Sequence, residues 1–169
     1  MNNCLSSNFR ILFRIGNNMD NLTIASQWAI VFSGFYLWIG MLTGIWKYYQ
    51  IRHSERAKAH YYVDIAHRSS LLYAAASLIL AMLSQFTVLP NHIALLCVLA
   101  NLIFFTFAIL SYILHGLLQD TANQFKQPHK LGRWILPSWC MTLAMLLLII
   151  AEFGATSILL LGTVLKLLT

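Results

Sequence analysis

His92–Leu118, HIALLCVLANLIFFTFAILSYILHGLL, is the stretch that decides the fold. Crossing about 30 Å of hydrocarbon takes a helix of roughly 20 residues, and this apolar run is long enough. On its N-terminal side Pro90–Asn91 marks a tight break. Beyond the break lies a second apolar run, from about Ser69 to Leu89, and before that a first, from about Thr23 to Trp46. On the C-terminal side a fourth runs from about Ile135 to Leu168, long enough to tilt. Of 169 residues, 59% are hydrophobic and 9% charged. Soluble domains carry about 45–50% apolar and about 25% charged residues. The composition excludes a soluble enzyme, a nucleic-acid reader and a disordered chain.

The expectation is an all-α fold, a polytopic four-helix transmembrane bundle running up-down-up-down. Its helices span about 23–46, 55–89, 92–119 and 135–168, after a polar segment 1–22. The formal charge of +6 fits topology and contact with anionic lipid better than nucleic acid. Lys47, Arg52, Arg56, Lys58 and Arg68 separate runs one and two, and Lys126, Lys130 and Arg133 separate runs three and four. The turn Leu89–Asn91 carries no Lys or Arg. Both basic loops are therefore expected in the cytoplasm and both termini on the other side, in a bacterial inner membrane. Cys4, Cys97 and Cys140 match no zinc spacing and no disulfide framework. No Gly-rich phosphate loop and no nucleophile with a placed base is present.

Two of the helices carry polar residues that suggest chemistry. In helix two, expected to begin near Ser54 or Glu55, His60, Asp64 and His67 follow one another at i, i+4 and i+7. Helix three presents Asn101, Ala108, Ser111, His115 and Gln119 on one arc. Counted from Pro90, His67 and His115 differ in depth by only about 3 Å, and Gly116 opens room beside His115. Facing arcs would gather His60, Asp64, His67, His115 and Gln119 at the cytoplasmic mouth. Helix one has a small-residue face of Ser26, Ala29, Ser33, Gly40 and Gly44, suited to packing inside the bundle rather than to a homodimer. Met141 and Met145 read as core filler. Glu152 lies within the fourth run, as a protonatable site or as a hydrogen-bonding partner of Asn101 or Gln85.

The leading expectation is a small integral membrane protein with a cytoplasmic-side His/Asp site between helices two and three. His67 and His115 would hold haem b, or would bind a divalent metal with His60 and Asp64, for redox or small-molecule chemistry. A second reading is a cofactor-free membrane isomerase with His67, His115, Asp64 and Glu152 as acid–base groups. A third is an accessory subunit of a larger membrane complex, or a homo-oligomer, with no catalysis. Against the site stands a plain alternative of interfacial histidines in ordinary hydrogen bonds, with Asp64 paired to Arg68 at i+4.

Arg10 and Arg14 lie on the side that should be poor in positive charge. They suggest an interfacial amphipathic helix or a start at Met19. If Met19 is the start, a chain beginning there accumulates in membranes as well as the longer one. Loss of accumulation would make the segment part of the fold.

Overall fold

The computed structural model describes residues 22–119, 129–131 and 134–169. Four of its helices are long and apolar enough to cross a membrane: α1 Ile24–Arg52, α2 Tyr61–Gln85, α3 Asn91–Leu118 and α4 Ser138–Leu168. The segment 1–21 and most of the loop after α3, with Lys126, lie outside the described residues.

The helix ends follow local hydrogen bonding rather than hydropathy. Thr23 caps α1, its hydroxyl accepting from the Ser26 N–H at 3.2 Å. The helix then runs past Trp46 to Arg52, its i−4 hydrogen bonding continuing beyond the apolar run. The second helix starts at Tyr61, later than the expected Ser54 or Glu55. Ala57 takes a left-handed conformation (φ 49°), which a helix does not tolerate. His60 becomes the cap, its own N–H donating to Gln50 Oε1 at 2.9 Å. At the other end α2 stops at Gln85, short of Leu89.

The fourth helix is also shorter at its start than the apolar run suggests. Residues 134–136 form strand β2 (Trp134–Leu136), antiparallel to β1 (His129–Leu131), with Lys130 opposite Ile135. Pro137 disfavours helical geometry in the residue before it, so Leu136 is extended and the helix begins at Ser138. Within α4, Ile150–Gly154 forms a π turn between two α-helical halves.

Packing centres on α1, α2 and α3. The small-residue face of α1 lies on α2: Ser26 Oγ donates to the Ala81 carbonyl at 3.0 Å, and Ser33 Oγ to that of Ala74 at 2.8 Å. Tyr36 is fully buried and its hydroxyl reaches α3, donating to the Leu102 carbonyl at 2.7 Å. The second half of α4 joins through Leu159, which is fully buried, and Thr163, whose hydroxyl donates to the Leu83 carbonyl at 3.0 Å. Gly162 meets the α2–α3 turn: its carbonyl accepts the Val88 N–H at 3.2 Å, and a Cβ there would collide with Thr87 and Leu89. No residue of the first half, Ser138–Ile149, is buried. Met141 and Met145 are thus not core filler.

Gly162→Ala should destabilise the protein by about 1–3 kcal/mol through overpacking at the turn. Gly34→Ala, where a Cβ meets nothing within 4 Å, should be neutral or gain up to about 1 kcal/mol from helix propensity. Thermal unfolding in detergent separates the two, and equal effects would show that α4 does not dock on this turn.

Candidate functional site

The expected histidine–carboxylate cluster divides between two neighbourhoods. Asp64 sits in the first turn of α2 and bridges two cations, Lys47 of α1 and Arg68 of its own helix, each at 2.6 Å. The pairing with Arg68 at i+4 is therefore present, and Lys47 ties it to α1. These side chains are partly exposed, so the triad is worth little as raw stability; it fixes how α2 is rotated against α1.

His67 points at α1. Its Nδ1 lies 2.8 Å from the Gly40 carbonyl oxygen. A carbonyl only accepts, so Nδ1 carries the proton. The ring rests on Gly44, where a Cβ would come within 2.9 Å of Cε1. The Gly40–Gly44 pair thus makes room for an imidazole between α1 and α2.

His115 takes different company. It is 5% exposed, and its ring packs on Tyr62 at 5.1 Å between centroids, with Tyr62 in turn stacked on Tyr112. Gly116 does not open space beside it: the room is filled by Trp46 and Val63, each with an atom 3.1 Å from where a Cβ would stand. His60 turns to its own backbone, Nδ1 accepting the Tyr62 N–H at 3.4 Å, so it does not continue a helical column with Asp64 and His67. Counting from Pro90 put His67 and His115 at one level, and Gly44 and Trp46, two positions apart on α1, do touch His67 and Gly116. What differs is direction: the two imidazoles take separate partners. Among the described residues no three His, Cys, Asp or Glu side chains assemble into a group that could hold a metal ion. The expected haem or metal site finds no support in this arrangement.

A cleft of about 540 Å³ opens instead between α3 and the first half of α4. It exists because Ser138–Ile149 stands off the bundle while Ala155–Leu168 packs on it. Its apolar walls include Phe107, Leu110 and Leu114 of α3 with Met141, Met145 and Leu148 of α4. Its polar groups are Tyr73 of α2, Ser111, Tyr112 and His115 of α3, and Cys140. Tyr73 stacks on Phe105 at 4.3 Å, which fixes the ring at the α2–α3 seam. Toward the far end α3 and α4 join where Thr156 Oγ1 donates to Asn101 Oδ1 at 3.1 Å.

Glu152 lies in the π turn, between cleft and junction. Neither expected partner takes it. Asn101 donates to the Cys97 carbonyl and accepts from Thr156. Gln85 Oε1 accepts from the Thr23 N–H at 3.0 Å. Glu152 Oε1 is buried with no hydrogen-bond partner among the described residues. Of the groups around the cleft, sequence reasoning missed Tyr73, Tyr112 and Cys140. Their one signal was position, since Tyr112 lies one turn before Gly116 and Cys140 one turn before Ala144.

No protein-family model matches the chain, and no curated protein or solved structure matches it. The site is therefore read from its own chemistry.

Gly44→Ala should cost about 1–3 kcal/mol by pushing the His67 ring. In a His67→Ala background the same change should cost much less, a coupling of about 0.5–3 kcal/mol. Thermal unfolding of the four chains measures it, and additive costs would show that the ring does not lie on Gly44.

Proposed function

We propose that this chain is a small integral membrane protein that binds a membrane-dissolved amphiphile in the cleft between α3 and the first half of α4. The cleft itself carries the reading. Its volume of about 540 Å³ falls in the range of small-molecule sites, about 300–1,000 Å³. Its lining combines apolar side chains with a few polar ones, the usual pattern for such sites. Phe107 and Leu110 are both 57% exposed, so the α3 wall runs out onto the lipid-facing surface. An apolar molecule could enter sideways from the bilayer.

The same proposal keeps the expected setting. The helices run up-down-up-down in a bacterial inner membrane, with the Arg52–Lys58 loop in the cytoplasm and both termini opposite. The partners are the lipid bilayer and the bound amphiphile; nucleic acid is not among them. A second reading, cofactor-free acid–base catalysis on the bound molecule, rests on one observation: His115 and Tyr112 line the same cleft.

Two experiments test these statements. A reporter active only outside the cytoplasm should be silent when fused after Lys58 and active when fused after Asn91; the reverse pattern would overturn the orientation. A diazirine-bearing long-chain alcohol, added to the protein in phosphatidylcholine nanodiscs, should label Phe107–His115 saturably. Ala144→Trp, which fills the cleft from α4, should suppress that labelling. Phe153→Trp, on a position 77% exposed, should leave it unchanged. Labelling spread evenly over every lipid-facing surface would refute the cleft as a site.

A further inference from the structure

The cleft contains an electrostatic asymmetry. Its lining along α4 is a helical stripe, Met141, Ala144, Met145 and Leu148, with the spacing of one helix face. The next position on that stripe, four residues after Leu148, is Glu152. It falls inside the π turn Ile150–Gly154, and π turns recur at functional sites because they re-aim side chains. Glu152 is not itself one of the lining residues; it stands one helical turn beyond Leu148, the last lining residue on α4. Glu152 Oε1 is buried and has no hydrogen-bond partner among the described residues.

Among the described residues the lining holds no Lys and no Arg. The described cations near acidic groups are engaged elsewhere, Lys47 and Arg68 on Asp64. A carboxylate or phosphate head that reached Glu152 would meet like charge, with no Lys or Arg beside it among the described residues. A head that brings positive charge and donors meets an acceptor that lacks one, beside aromatic faces that attract cations. Aromatic rings in the lining and a carboxyl one turn beyond it suit an organic ammonium, and apolar walls suit a hydrocarbon tail.

We propose that the ligand is a lipophilic organic cation, an ammonium head on an apolar tail, and that Glu152 Oε1, one turn of α4 beyond the lining residue Leu148, is its anchor. This rests on the cleft being a binding site. The tail lies along Phe107, Leu110, Met141 and Met145, and the head reaches the π turn. The carboxyl selects the sign of the head's charge, while the apolar walls supply tail affinity that is indifferent to it.

Three diazirine probes with one tail, ending in an ammonium, an alcohol or a carboxylate, test this on the full chain in phosphatidylcholine nanodiscs. The expected order of labelling within Phe107–His115 is ammonium, alcohol, carboxylate. Glu152→Gln keeps size and shape. It should remove the preference for the ammonium over the alcohol, a loss of at least about tenfold in ammonium affinity. Labelling by the alcohol should persist, and thermal unfolding followed by circular dichroism reports that the variant is folded. Equal labelling by all three probes in the parent protein would overturn the cation assignment and leave the cleft standing. An ammonium preference that survives Glu152→Gln would overturn Glu152 as its anchor. If none of the probes labels the cleft, the binding site itself is refuted.

Discussion

Hydrocarbon offers no hydrogen bonds, so a polar side chain in these helices must be satisfied by the chain itself or carry the cost. That constraint runs through the whole structure. Ser70 and Thr43 turn back onto their own helices, at Ala66 and Ile39. Ser26, Ser33, Tyr36, Thr156 and Thr163 reach a neighbouring helix. Each interhelical bond names the face that must point inward. Apolar side chains give no such instruction, because lipid and protein interior are equally acceptable to them. The polar groups therefore set helix rotation, and small residues such as Gly40 and Gly44 set how near the backbones come.

The histidines are best understood in that light. His67 donates to the Gly40 carbonyl and seals α1 onto α2, in a space that only glycine at 44 leaves open. His115 is buried among aromatic rings at the same end of the bundle. Together with the Lys47–Asp64–Arg68 triad these contacts hold three helices in register. Of the histidines in that cluster, His67 packs against α1 and His115 lines the cleft.

The fourth helix behaves differently. Its second half is pinned by Thr156, Leu159, Gly162 and Thr163, while its first half buries nothing. The π turn lies where the two regimes meet. One helix thus docks with one end and leaves a cleft with the other. Glu152 is placed at the change, its Oε1 without a partner among the described residues. Ser77 Oγ is likewise buried without one, but its hydroxyl is uncharged.

The sequence alone determined four membrane-length helices, because apolar content over roughly 20 residues is a local property that the solvent reads directly. It also determined the Asp64–Arg68 pair and the inward small-residue face of α1, since both depend on spacing along a single helix. Helix ends were legible only approximately. The start of α2 depends on Ala57 turning left-handed and on Gln50 taking the His60 N–H, and β2 holds Ile135 and Leu136 out of α4. The histidine–carboxylate cluster was legible in its residues but not in its assembly, and of the cleft's polar groups only His115 and Ser111 stood out. His67, Asp64 and His115 were visible as polar groups near one level, yet which neighbour each would meet depends on how three helices are rotated about one another. Nor could the run after Pro137 show which of its faces would pack, because it is apolar nearly all round and carries little periodic signal. Only the tertiary structure decided that His67 belongs to α1, that Thr156 rather than Glu152 meets Asn101, and that the start of α4 stands away from α3. The physical reason is that these outcomes follow from close contacts between segments far apart in the chain, and hydropathy is blind to them.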